Sequence, residues 1–406
     1  MIGSNFSRAA IEGLRSGVPS RHAVAQLGTT QAAIREAFEL ALAAVEQGDP
    51  GRALVVRANF GFGKTHLLEY LESVAESRDF ATSYIVASPE MPLGNGHVVL
   101  KSLAENARAP RRTGKALRAL AGELRPHSPQ FAELRSWADG LEGLNDRFRA
   151  MLHLYEEFTS DPELLVQILG DFEGKPLAKT VLNQKLKELN AAAAYDLKGG
   201  PRNHALAHDR IQVFTQMVRA CGCHGLVVLI DEVERIAHFS KKQRLAAYEE
   251  LGWWARVARQ PGSGIIPVLA MTSTFATSVV YEDELKLVGL QQGLFGGDER
   301  DELAREGIQL LKDGLPLTEP TEAEVEAMRY RIKSLYQEAY RLAVPDYPDD
   351  HYERTTPIRQ RIRRWITQWD LHRFYPEEAP DVEVEDVVFD QHEIGDDELA
   401  TNGDDE

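Results

Sequence analysis

The stretch Ala58-Asn59-Phe60-Gly61-Phe62-Gly63-Lys64-Thr65 separates a short apolar run, Arg52 to Arg57, from a segment, His66 to Glu76, with apolar residues at 67, 68, 71 and 74. Those patterns predict a strand and then a helix, so the glycines fall where one becomes the other. Gly61 and Gly63 permit backbone angles and close approaches that side chains forbid. Successive N–H groups can then converge on phosphate oxygens at a helix N-terminus. The spacing is that of the phosphate-binding loop G-x-x-x-x-G-K-[ST], except that Ala58 replaces the first glycine and its methyl group threatens to crowd the loop. Lys64 is expected to pair with the β- and γ-phosphates of a nucleoside triphosphate, and the Thr65 hydroxyl to ligate Mg²⁺. Asn59, Phe60, Phe62 and His66 complete the candidate loop.

A second feature fits the first. Leu226-Val227-Val228-Leu229-Ile230 leads directly into Asp231-Glu232. A strand this apolar is covered on both faces, and it delivers its acidic pair to the C-terminal edge of the sheet, where ligands bind in open α/β folds. Asp231 is expected to hold Mg²⁺ through water, and Glu232 to orient or deprotonate an attacking water. Ile265 to Met271 reads as another buried strand, with Thr272 the first candidate for a polar group near the γ-phosphate and Thr274 the second. With a strand over Ser83 to Ala87, the order strand, loop, helix, strand favours a parallel sheet. The fold class is α/β, a P-loop core with a parallel sheet.

Near the C-terminus, Thr356-Pro357 opens a helix whose first turns carry Arg359, Arg361, Arg363 and Arg364. Cations at a helix start oppose its dipole, so an anion nearby would explain them. Arg359 and Arg363, four apart on one face, are candidates to sense a nucleotide phosphate, with a salt-bridged surface or a nucleic-acid contact as alternatives. Arg361 faces elsewhere and should be indifferent. A further basic run, Arg108, Arg111, Arg112, Lys115 and Arg118, has no acidic residue inside it and could follow a phosphate backbone or be a solvated helix face. Arg256 and Arg259 are candidates for an arginine finger reaching a neighbouring copy in a homo-oligomer.

The net charge of −17 over 406 residues is unevenly placed. Fourteen acidic residues and no Lys or Arg occupy 377–406, and removing their charge leaves −3 for the remainder, so local basic faces remain compatible with DNA. No apolar run approaches the ~18 residues of a membrane span, and the N-terminus lacks a leader pattern, which predicts a cytoplasmic protein without membrane contact. Cys221 and Cys223 are too close for an ordinary disulfide and read as buried thiols.

The expected organisation is a helical segment over 1–50, the P-loop core over 51–281 with a helical insertion at about 110–200, a helical lid over 282–376 and an acidic disordered tail over 377–406. Breaks are expected at Gly17-Val18-Pro19, at Gly28-Thr29-Thr30 with Thr30 capping the next helix, and at Gly199-Gly200-Pro201. Ser160-Asp161-Pro162-Glu163 reads as a helix start.

With both halves of the site in place, the chain resembles the AAA+ superfamily, in particular its ORC/Cdc6-like branch. Within that branch it is similar to the ATP-binding proteins of BREX-type phage-defence systems, the BrxD-like family. The closer likeness rests on Ala10 to Pro19, Asn59 to Leu68, Val228 to Glu234 and Thr356 to Arg363. The resemblance implies a RecA-like sheet followed by a lid, Arg359 at the sensor 2 position and Thr272 near sensor 1. It also implies ATP and Mg²⁺ as ligands, and a role in defence beside a helicase or other DNA-processing protein. One reading is an ATPase that loads, remodels or licenses such a partner. The other is a nucleotide-dependent scaffold with little turnover. Deleting 377–406 should leave folding unchanged and raise non-specific DNA affinity at low salt, an effect that fluorescence anisotropy should see fade as salt rises.

Overall fold

A computed structural model describes residues 2–16, 21–59, 61–120, 122–197, 206–284, 298–347 and 356–377. Phe60, the expected breaks at 17–19 and 199–201, and the acidic stretch beyond 377 lie outside the described residues. The chain opens with helices α1 (Ile2–Ser16), α2 (Arg21–Leu27) and α3 (Ala32–Glu46). Strand β1 (Leu54–Arg57), helix α4 (Lys64–Ser77) and strand β2 (Ala81–Val86) follow. Then come α5 (Gly96–Asn106), α6 (Ala116–Leu120), α7 (Pro129–Gly140), α8 (Asp146–Glu157), α9 (Pro162–Phe172), α10 (Lys179–Glu188) and α11 (Ala207–Ala220). Strand β3 (Leu226–Asp231), helix α12 (Lys241–Ala258) and strand β4 (Ile265–Met271) return the chain to the sheet. Short helices α13 (Ser273–Thr277) and α14 (Val279–Asp283) lead to α15 (Asp298–Lys312), β5 (Leu315–Pro316), α16 (Glu322–Tyr340) and α17 (Ile358–Phe374).

The five strands are all parallel, in the order β2-β3-β4-β1-β5. Every residue of β3 and β4 is buried, which is what their unbroken apolar sequences require. Alternation along the strands divides the interior. Val56, Val227, Leu229, Ile266 and Val268 face Phe38 of α3 and Leu68 and Leu71 of α4. Val55, Val228, Ile230 and Leu269 face the larger core that includes helices α5 to α12. A third cluster joins the ends of the chain: Ile11 and Leu14 of α1 pack with Ile332 and Tyr336 of α16 and with Trp365 and Trp369 of α17. Arg15 of α1 fastens it, donating twice to Asp370 of α17 at 2.9 Å.

Local start signals hold in one case and shift in another. Asp161 caps α9 by accepting the Leu164 N–H at 3.0 Å, with Pro162 in the first turn. Thr30 does not cap α3, which starts one residue later behind Gln31. The Gln31 side chain instead bonds Thr318, donating to its carbonyl at 2.9 Å and accepting its N–H at 2.9 Å, so a long-range contact overrides the local cap. Cys223 is buried and Cys221 half-buried, and burial pushes their thiols up to about 11 and about 12.

The backbones of α12 and α15 touch. A Cβ on Gly252 would stand 1.8 Å from the Leu303 carbonyl oxygen, and one on Gly307 would stand 2.0 Å from that of Tyr248. Gly252→Ala should therefore destabilise the fold by at least ~3 kcal/mol, read as a lowered urea midpoint with the slope unchanged.

Candidate nucleotide-binding site

The loop after β1 is held on both flanks by the sheet. Ala58 continues the ladder, its N–H donating to Met271 at 3.1 Å and its carbonyl accepting the Ser273 N–H at 3.3 Å. Its methyl group is buried and its φ is not positive, so this position tolerates a Cβ. The positions that do need glycine are Gly61, at φ 81°, and Gly63, at φ 91°. Gly63 stands at the start of α4 with no side chain capping that terminus, which leaves the first-turn N–H groups available to an anion. Lys64 is buried, with its ammonium donating to the Ala58 carbonyl at 3.3 Å.

Asp231 reaches the same place from β3. Its Oδ2 accepts the Thr65 hydroxyl at 3.0 Å and the Tyr84 hydroxyl at 2.7 Å, and its Oδ1 accepts the Glu232 N–H at 2.9 Å. Burial and the adjacent carboxylate push the Tyr84 phenol well above its ordinary range, so it remains a donor. Glu232 adopts a left-handed backbone, φ 57°, and its carboxylate is half-exposed and paired with Arg235 at 2.9 Å. Two residues on, Glu234 lines the same cavity and accepts the Thr272 N–H at 3.2 Å. Burial pushes the Glu234 carboxyl above its usual range, with the charge of Lys64 opposing that shift.

A cavity of about 230 Å³ opens over these groups. Gly61, Phe62, Gly63, Lys64, Thr65, His66, Asp231, Glu232 and Arg359 all line it. Apolar side chains also line it, with Leu14 and Leu27 from the N-terminal helices and Met328, Ile358 and Ile362 from α16 and α17. The start of α17 lies directly against the loop, since a Cβ on Gly61 would stand 2.9 Å from Cβ of Pro357. Asn59 is exposed, and neither it nor Thr272 nor Arg363 lines the cavity. Thr272 caps α13 by accepting the Phe275 N–H at 3.4 Å. His66 bonds the Gly28 carbonyl through Nε2 at 2.9 Å, and burial lowers its pKa, so its neutral ring ties α4 to the turn before α3.

Several charged residues form ion pairs that the sequence alone does not show. Arg361 is buried, pairs with Glu322 at 3.3 Å and stacks 5.9 Å from the Trp365 ring centroid, so it is not indifferent to substitution. In the basic run, Arg111, Arg112 and Arg118 pair with Asp79, Glu123 and Glu173. Arg256 and Arg259 both pair with Glu306 of α15. Sequence reading passed over Tyr84 and Glu234. Glu234 lies in the acidic stretch after β3, but nothing local distinguishes Tyr84 from a packing aromatic.

A parallel sheet carrying a glycine loop at a helix N-terminus makes this an α/β protein with a RecA-like core. A sequence model of the family described as BREX system ATP-binding protein BrxC/D matches residues 2–123 and 192–347, and the chain belongs to that family. Its role is accordingly that of an ATP-binding protein in phage defence. The unmatched interval 124–191 contains α7 to α10, and α17 lies beyond the matched residues. No curated protein and no solved structure matches the chain. Among the described residues no helix is long and apolar enough to cross a membrane.

Gly61→Ala should combine left-handed strain with a clash against Pro357, lowering nucleotide affinity at least ~tenfold by isothermal titration. Arg361→Ala should instead lower stability by about 1–2 kcal/mol through lost packing and pairing, seen in denaturant unfolding.

Proposed function

We propose that the protein binds ATP with magnesium in this cavity, hydrolyses it, and uses the cycle to load, remodel or license a DNA-processing partner such as a helicase during phage defence. The observation that carries this reading is the convergence of Lys64 and Thr65 of α4, Asp231 of β3 and Arg359 of α17 on one cavity lined by both polar and apolar residues. The first-turn N–H groups of α4 and the Lys64 ammonium suit the phosphates, and the apolar lining suits a base. A hydroxyl and a carboxylate 3.0 Å apart form an oxygen donor set that fits magnesium, so Thr65 and Asp231 are its ligands, Asp231 through water. Bound magnesium supplies charge neutralisation of the β- and γ-phosphates.

In this reading Glu232 orients the attacking water after releasing Arg235, and Arg359 meets the γ-phosphate from the lid, with Arg363 supporting it one turn on. Thr272 acts at the end of β4, where Glu234 holds its backbone. The core runs from 51 past the expected 281, since α15 packs on α12 and β5 pairs with β1, and it carries the helical insertion at about 110–200; within the expected lid of 282–376, the lid proper is α16 and α17. Helices α1 and α2 pack with the lid, because they share its hydrophobic cluster, and α2 also ties it to the core through Arg21. The ORC/Cdc6-like placement within AAA+ ATPases draws support from a lid helix that abuts the phosphate loop.

A second reading, a nucleotide-dependent scaffold with little turnover, is favoured by the Glu232–Arg235 pair, which engages the water-handling carboxylate. Steady-state ATPase assays with and without single-stranded and duplex DNA separate the two. Stimulation by DNA supports the motor, and tight ATP binding with negligible turnover supports the scaffold. Lys64→Ala should abolish nucleotide binding, whereas Glu232→Gln should retain binding and stop turnover. Arg359→Ala should slow hydrolysis roughly ten- to a hundredfold with binding preserved. Wild-type turnover in Glu232→Gln would remove that residue from the chemistry.

A further inference from the structure

The phenol of Tyr84 stands at the metal side of the cavity. Strand β2 is an edge strand, paired with β3 so that Tyr84 lies opposite Leu229 and Val86 opposite Asp231. From that row the tyrosine is long enough to reach the Asp231 carboxylate at the strand end, where its hydroxyl donates at 2.7 Å. A shorter hydroxyl residue at position 84 would stop short of it. A carboxylate accepts at about four lone-pair sites. Tyr84 and Thr65 share Oδ2, and the Glu232 N–H takes a site on Oδ1, which leaves about one acceptor position on a residue only 4% exposed.

We propose that Tyr84 is a positioning residue for magnesium: its hydroxyl fixes the Asp231 carboxylate in the orientation that Thr65 shares, and leaves a single acceptor position for the metal's hydration shell. The inference rests on the ATP-binding reading of the cavity. It follows from how metal sites work, since partners that orient a ligand are worth about 10–100-fold in metal affinity. Without the phenol, Oδ2 keeps one donor and the carboxylate gains freedom to rotate away from Thr65. The nucleotide itself should hardly notice, because Tyr84 is not among the residues lining the cavity.

The test is a magnesium titration of fluorescent ATP-analogue binding to the full chain, comparing wild type, Tyr84→Phe and Tyr84→Leu, with binding in EDTA measured in parallel. Both variants should bind the analogue in EDTA within about twofold of wild type and require about tenfold more magnesium for half-maximal enhancement. A wild-type magnesium response in either folded variant, judged by its unfolding midpoint in EDTA, would overturn the proposal. So would weakened binding in EDTA equal to that in magnesium, because the phenol would then act on the fold or the nucleotide rather than the metal. Failure of the underlying reading is distinguishable: wild-type protein would show no analogue binding, or no enhancement by magnesium.

Discussion

The contact between the Thr65 hydroxyl and the Asp231 carboxylate depends on more of the molecule than any other. Strands β1 and β3 are not neighbours, because β4 lies between them, and Asp231 ends β3, whereas Thr65 lies in the first turn of α4 beyond the loop that leaves β1. Their meeting requires both parallel ladders to be in register, with Leu54 and Leu229 both opposite Val268. A slip of one residue in either ladder would turn the apolar sets of the strand to the wrong face, so core burial enforces the geometry of the site. The hydrophobic sheet is thus the device that sets a polar distance.

The second dependence runs through the ends of the chain. Helices α1 and α2 share a hydrophobic cluster with α16 and α17, and Arg15 pairs with Asp370 across it. The same N-terminal pair is tied to the core, since Arg21 bridges to Glu72 and Glu76 of α4 and His66 bonds the Gly28 carbonyl. Gln31 adds a further tie through Thr318, and Arg331 of α16 donates to the Leu27 carbonyl at 3.0 Å. The cavity is therefore walled by segments more than 300 residues apart in sequence.

Among the described residues many charges are paired within the chain. Asp171 is wholly buried and receives Arg147 and Arg210, a node that holds α8, α9 and α11 together. Arg256 and Arg259 belong to the α12–α15 contact. Arginines on helices read from sequence as open hands toward nucleic acid or a neighbouring subunit, yet a carboxylate from a distant element often stands opposite them. Burying one partner without the other is costly, so the pairs on Asp171 are conditions for folding, whereas the exposed pairs add little.

What the sequence determined by itself was whatever local chemistry dictates. The glycines at 61 and 63 lie at backbone angles that require them, β4 covers the predicted 265–271, and the apolar approach to Asp231 is a fully buried strand, because these depend on φ, ψ and burial of neighbouring residues alone. The parallel sheet followed from the same runs. Only the tertiary structure decided which side chains share a site. It joined α1 to α16 and α17, gave Arg361 to Glu322 and brought Tyr84 to Asp231 across 147 residues. No periodicity encodes those pairings, because each is fixed by the distance and angle at which two independently formed elements pack, and that is a property of the whole core.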